Sequence, residues 1–362
     1  MKVGIVTLNG YWNYGNRLQN FALKQILSKK FNHEVVTIKT WQSEETKGGI
    51  TGGVDFLRKL KNRRIKESFE LTKRINNFKE FSKTSLAESN FQVDLRDSEN
   101  KLNSFDRVII GSDQVWNTTW LNESKTKFFL LSSVEPKKRV AYAASLGVDF
   151  VVEEFKDLFI NELNKFRSVS VREQSAQYVL GTMTGRSYPV VLDPTMLLTK
   201  GDWEAEINHV DSFGENFVFE YFLGKKTPDV RRKISEVETH FNGVVAFNDF
   251  TKIGREYYSQ GPLEFVKAIS ESSVVVTDSF HAAVFALLFN KPLYIVERVD
   301  RNSKMSSRMD TLFKNVGADK KTINDFDYNT YQMDAYDLVG SQLNELRKKS
   351  MEFLENALKG NE

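Results

Sequence analysis

Short, nearly uninterrupted apolar runs recur along the chain, separated by stretches whose apolar residues return every three or four positions. Runs of this kind, rich in β-branched residues, suit strands covered on both faces, and the stretches between them have the period of amphipathic helices. The pattern predicts strands at Val3–Leu8, Val35–Ile38, Arg107–Ile110, Val140–Ala143, Val169–Val171 and Val190–Leu192. A second series follows at Phe217–Phe222, Val244–Phe247, Val274–Thr277 and Leu293–Val296. Strands alternating with helices make an α/β protein, here two open sheets whose strand ends face a shared cleft. The expected division is an N-terminal domain over 1–198, a C-terminal domain over 199–334 and a helix over 335–362 packing across both. The boundary falls at Leu198, after the turn around Asp193-Pro194.

One segment stands outside this alternation. Phe56–Lys83 carries ten Lys or Arg against three Glu, interleaved with apolar residues such as Leu60, Ile65, Phe69 and Phe78. It reads as a long basic helical insertion that could dock on an anionic membrane or a partner, although a solvated charged face is the plainer reading.

Composition narrows the classes. Length alone, 362 residues, suits two domains. With no cysteine, disulfides, thiolate nucleophiles and cysteine-held metals are excluded, and four scattered histidines leave little for a metal site. Fifty-one basic against 48 acidic residues give a formal charge of +3, too balanced to imply a nucleic-acid partner. No apolar run has transmembrane or signal-peptide length, so the expectation is a cytoplasmic enzyme, with a membrane's inner face within reach of the basic segment.

The candidate chemistry collects at predicted strand ends. In SESSVVVTDSFHAAVFALLFNKPLYIV, strand Val274–Thr277 ends at Asp278-Ser279 and an apolar helix starts near Phe280. Asp278 or Ser279 can cap that helix, whose free N–H groups attract anions, and His281 in its first turn can act as acid or base. Arg172 follows strand Val169–Val171 and can grip a carboxylate or phosphate with two N–H groups; its plainer alternative is a pair with Glu173. Asn16 and Arg17 follow the first strand. Ser112, Asp113, Trp116 and Asn117 in GSDQVWN could hold a sugar by hydrogen bonds and stacking, although Trp116 could equally be core. The loop ERVDRNSKMSSRMD offers Arg298, Arg301, Lys304, Ser306, Ser307 and Arg308 to a phosphorylated ligand. These positions imply a cleft enzyme acting on a small anion.

At the same residues the chain resembles the polysaccharide pyruvyl transferase family. NYGNRLQNFAL, IIGSDQVWN, YAASLG, SVREQSA, VLDPTMLL and DSFHAAVFALLFNKPLYIV resemble that family's segments in order, from about Met1 to Gly317. The resemblance implies two facing Rossmann-like domains similar to the GT-B fold, with the acceptor on the N-terminal side and the donor on the C-terminal side. It implies transfer of the enolpyruvyl group of phosphoenolpyruvate to a sugar as a pyruvate ketal, with release of phosphate and no metal or other cofactor. The acceptor would belong to a polysaccharide or a glycan precursor, whether lipid-linked or not. A catalytic histidine falls on His281, an essential arginine on Arg172, and Asp278 is available as a base. Ser279, Arg308, Ser307 and Lys304 would bind the donor, and Asn16, Arg17, Ser112, Asp113, Trp116 and Asn117 the acceptor. Many relatives read Ser-Arg-Leu-His before the histidine; here Asp278-Ser279-Phe280-His281 lacks that arginine, and Arg308 is the candidate replacement. Two alternatives stay open: a GT-B nucleotide-sugar glycosyltransferase, for which Glu264 and Glu271 lie in the right region, and a non-catalytic glycan-precursor-binding protein.

Overall fold

The computed structural model describes residues 1–41, 65–93, 98–249, 255–298, 306–334 and 339–359. In chain order it opens with β1 (Lys2–Val6), α1 (Tyr14–Gln25), β2 (Glu34–Thr40), α2 (Ile65–Ser85), β3 (Glu88–Val93) and α3 (Ser98–Asn103). There follow β4 (Arg107–Ile110), α4 (Glu123–Phe129), β5 (Arg139–Ala144), α5 (Lys156–Leu163), β6 (Ser168–Val171) and α6 (Gln174–Thr184). These six strands form one parallel sheet in the order β3-β2-β1-β4-β5-β6.

The chain then runs through α7 (Lys200–Ile207), β7 (Phe217–Tyr221), α8 (Pro228–Glu238), β8 (Gly243–Phe247), α9 (Pro262–Glu271), β9 (Val274–Thr277), α10 (Phe280–Leu288) and β10 (Leu293–Ile295). Its four strands make a second parallel sheet, β10-β9-β7-β8. Last come α11 (Ser306–Val316) and α12 (Val339–Leu358). The fold is two Rossmann-like α/β units facing each other, the GT-B arrangement, with the basic helix inserted in the first.

Two strand expectations change. Val190–Leu192 makes only an isolated bridge to β6 through Val190, because Pro189 and Pro194 bracket it and cannot donate to a ladder. Strand β3, ESNFQV, was not expected: it is a polar edge strand, half-exposed, and lacks the apolar run that marks a central one. Of the basic segment, positions 56–64 lie outside the described residues. Helix α2 turns Ile75, Phe78 and Phe81 into the core and leaves Phe69 in solvent.

Helix α1 decides how the two units meet. From Tyr14 to Leu23 every residue is buried, since the helix lies between the first sheet and the second unit. Tyr14 stacks on Phe265 of α9 at 4.6 Å, meets Tyr221 and Phe247 edge-on, and donates its hydroxyl to Gln260 O at 2.9 Å. Further along, Phe21 packs on Trp203 of α7, which packs on Phe285 of α10. One apolar core therefore runs through both units. Helix α12 returns to the first, where Ser350 Oγ accepts from Leu192 N and Arg347 Nε donates to Met196 O.

Candidate active site

Strand β9 ends at Thr277, and Ser279 caps α10 by accepting from Ala282 N. The capped start of α10 lines a cavity of about 360 Å³ between the two units, and the helix presents its positive end there. His281, in the first turn, reaches across to the first unit. Its Nδ1 occupies space that a Cβ on Gly15 of α1 would fill, only 2.0 Å away. Its buried Nε2 lies 3.4 Å from Asp193 Oδ2.

Asp193 comes from the turn after Leu192 and is fully engaged. Oδ2 accepts from Arg172 Nη1 at 2.7 Å and from Ser112 Oγ at 3.2 Å, while Oδ1 accepts from Thr195 N and Oγ1. Burial alone would raise its pKa. The proximity of His281, the charge of Arg172 and the hydrogen bonds from Arg172 and Thr195 outweigh that and hold it well below the usual carboxylate range. Arg172 is itself buried: desolvation pulls its pKa down, but Asp193, Asp113 and Glu173 more than restore it. The guanidinium lies 4.6 Å from the Phe280 ring and 3.5 Å from Asp113 Oδ1.

Arg308, from α11, differs. It is 3% exposed and lines the cavity, yet Nε and Nη2 have no hydrogen-bond partner among the described residues. Desolvation, and then the nearby Arg172 charge, bring its pKa down to about 10, so it stays cationic at neutral pH. Glu173 and Asp113 offset only part of this, and N–H groups of a buried cation left without acceptors are costly unless an anion joins them. Arg308, the start of α10 and His281 line the same cavity. A larger groove of about 710 Å³ lies between α2 and the start of α9, but Glu80, Glu206, Asp211 and Glu264 give it the wrong sign for an anion. Among the described residues, no group of three or more His, Asp or Glu could hold a metal ion, and no helix is long and apolar enough to cross a membrane.

A model of the polysaccharide pyruvyl transferase family matches residues 13–300. The chain belongs to that family. Among solved structures it is similar to UDP-GlcNAc 2-epimerase from Neisseria meningitidis bound to UDP-GlcNAc, at 11% identity and a TM-score of 0.50, covering 98% of this chain and 100% of that one. It also resembles a glycosyltransferase from Rickettsia africae, at 12% identity, a TM-score of 0.47 and 99% of both chains. At 11% identity the likeness to the epimerase is one of fold alone. No curated protein matches the chain.

The other expected site residues fall into three groups. Asn16, Asp113, Ser279, His281 and Arg308 do line one cavity. Arg172 and Ser112 stand behind it, holding Asp193.

The rest have other tasks. Asp278 is no free base: Oδ1 accepts from Leu223 N, and Oδ2 from Gly224 N and Arg298 Nε, so it ties the β7–α8 loop to Arg298. Arg17 is fully buried and does not line the cavity; it bonds Glu88 Oε1 and holds the cavity-lining Leu8 through its carbonyl. Trp116 is core, its indole donating to Phe129 O with Phe159 and Phe166 edge-on. Asn117 shapes its own loop, accepting from Thr119 N and Oγ1. Ser307 faces Ser175 of α6 rather than the cavity. Lys304 and Arg301 lie outside the described residues. Of the glycosyltransferase candidates, Glu264 lines the other groove and Glu271 accepts from Phe213 N.

The family's members are transferases, and this site contains residues that sequence reasoning passed over. Asp193 had a signal, an Asp-Pro turn closing an apolar run, but read as a boundary rather than a partner of His281. Trp12 and Trp120 line the cavity as exposed rings; nothing in the sequence separates them from the buried Trp116.

Proposed function

We propose that the cleft binds phosphoenolpyruvate and transfers its enolpyruvyl group to a pair of sugar hydroxyls, giving a pyruvate ketal and inorganic phosphate. The observation that carries this reading is Arg308, a buried cation with unpaired N–H groups in the same cavity as His281 and the start of α10. A substrate with both phosphate and carboxylate supplies acceptors for those N–H groups. Arg298, held by Asp278, adds a second guanidinium at the rim.

With Nε2 buried against Asp193, Nδ1 is the ring nitrogen that deals with substrate. Asp193 keeps the imidazole oriented, and Arg172 and Thr195 keep Asp193 in place. His281 as general acid gives its proton to the methylene carbon of phosphoenolpyruvate, which becomes the methyl group, and C2 takes the positive charge. An acceptor hydroxyl attacks C2, and its proton returns to His281. The C2–O bond to phosphate then breaks, the second hydroxyl attacks C2, and its proton leaves with the phosphate. Atoms and charge balance without an oxidant or a reductant.

The experiment is mass spectrometry of saccharide acceptors incubated with phosphoenolpyruvate, beside a parallel set with nucleotide sugars. The reading expects an acceptor heavier by one pyruvate less water, with an equal amount of phosphate. It also expects His281→Ala to lose at least about 10²-fold in rate while keeping its fold. Glycosyl transfer from a nucleotide sugar, or near-normal turnover by the folded variant, contradicts it.

A further inference from the structure

Trp12 and Trp120 leave 48% and 44% of their surface in solvent, whereas Trp116 and Trp203 are fully buried. Both exposed rings line the cavity that holds His281 and Arg308. A half-exposed indole forgoes much of the gain from burying its apolar face. Two of them in one cavity mark a place where a ligand covers them.

Both rings stand on anchored backbone. The Trp12 ring lies against Gly10, where a Cβ would come within 2.9 Å of it. Its carbonyl accepts from Arg74 Nη2 at 2.8 Å, which fixes the backbone from α2. The loop bearing Trp120 is shaped by Asn117 and tied down through Thr118 Oγ1, which accepts from Val152 N, and by the buried Leu121. The same cavity holds Asn16, 7% exposed, whose Oδ1 meets no donor. Ionised phosphoenolpyruvate offers only acceptors, so it cannot satisfy that oxygen. A hydroxyl can.

We infer that Trp12 and Trp120 form the platform on which a pyranose ring of the acceptor stacks, with one of its hydroxyls donating to Asn16 Oδ1. This rests on the transfer reading above and adds where the acceptor sits. A pyranose has an apolar C–H face for the indoles and a rim of donors for Asn16. The base of a nucleotide also stacks on tryptophan, but the nucleotide's phosphates would compete with the donor for Arg308, while a neutral sugar leaves the cations free.

The test is saturation-transfer NMR with the methyl β-glycosides of glucose, galactose and N-acetylglucosamine as probes, and uridine monophosphate as the competing arm. Phosphoenolpyruvate is titrated separately by calorimetry into the same proteins. At least one glycoside should bind the native chain. Trp12→Ala and Trp120→Ala should each weaken that binding about tenfold, the usual effect of truncating an aromatic anchor, and Trp12→Phe should restore most of it. Phosphoenolpyruvate affinity should hold in all three. The inference falls if no glycoside binds, if both alanine variants bind it like the native chain, or if uridine monophosphate is the ligand they lose. Tryptophan-dependent glycoside binding without phosphoenolpyruvate binding would sink the donor reading and leave the platform standing. Phosphoenolpyruvate binding without the glycoside sinks the platform alone.

Discussion

Two buried side chains, Arg308 and Asp193, hold opposite positions in the charge balance of the cleft. An arginine whose pKa falls from 12.5 to about 10 on folding costs stability wherever both states are protonated. At neutral pH that cost is on the order of 3 kcal/mol, fading only above pH 10. Arg308→Met is therefore expected to raise the thermal midpoint by a few degrees while cutting kcat/KM for phosphoenolpyruvate tenfold or more. A calorimetric scan beside steady-state kinetics checks both; a variant that loses stability would mean that Arg308 has a partner in the native chain. Asp193 has the reverse sign. Its carboxyl is depressed in the folded state, so its contribution is full above the ordinary value of 3.8 and is lost as the pH falls through the lower folded value. Asp193→Asn should cost about 3–5 kcal/mol near neutrality, because it breaks a buried pair with Arg172. Urea titrations across pH should show the gap from the native chain beginning to narrow only as the pH falls below 3.8.

At the scale of elements, the site is assembled where α1 and α10 start. Each is the helix that follows a strand, β1 and β9, and each is capped by its own polar residue, Asn13 and Ser279. Their close approach depends on Gly15. Gly15→Ala puts a methyl group 2.0 Å from His281 Nδ1, so the imidazole must leave its place. We expect kcat to fall about 10²-fold, the low end for losing an acid–base group, with the unfolding midpoint changed far less than by Asp193→Asn. A variant of normal kcat would show that the ring works from another position. Much of this level was legible in the sequence. Central strands announce themselves by apolar runs, so β4 and β9 fall where Arg107–Ile110 and Val274–Thr277 were expected. The cap and histidine at the start of α10 were likewise visible. The edge strand β3 was not, because an edge needs no apolar run, nor were the tasks of Arg17 and Asp278. A buried arginine and a cleft arginine are the same letter until their partners are known.

On the scale of the whole molecule, the two units share an apolar core instead of meeting across a wet interface, and this carries the site between them. Cations of the second unit face Asn16 and Asp113 of the first, and the pair His281–Asp193 crosses the boundary. No local pattern could reveal those crossings, since the partners lie far apart in the chain. Large apolar contacts of this kind couple domains that would otherwise move and unfold separately. Urea unfolding followed by circular dichroism and by tryptophan fluorescence should give one coincident transition. Tyr14→Ala removes the ring that stacks on Phe265 and donates to Gln260, at a cost of about 3–5 kcal/mol. It should separate the two probes. Separate transitions in the native chain would mean that the shared core does not bind the units together.

The central claim, that an unpaired buried cation beside His281 awaits a phosphorylated carboxylate, is tested most directly by calorimetric titration of phosphoenolpyruvate into the native chain and into Arg308→Ala. The account predicts saturable binding to the native protein, tighter than that of inorganic phosphate, and weakened at least about tenfold in the variant. Equal binding to both proteins, or binding of UDP-N-acetylglucosamine with none of phosphoenolpyruvate, would contradict it.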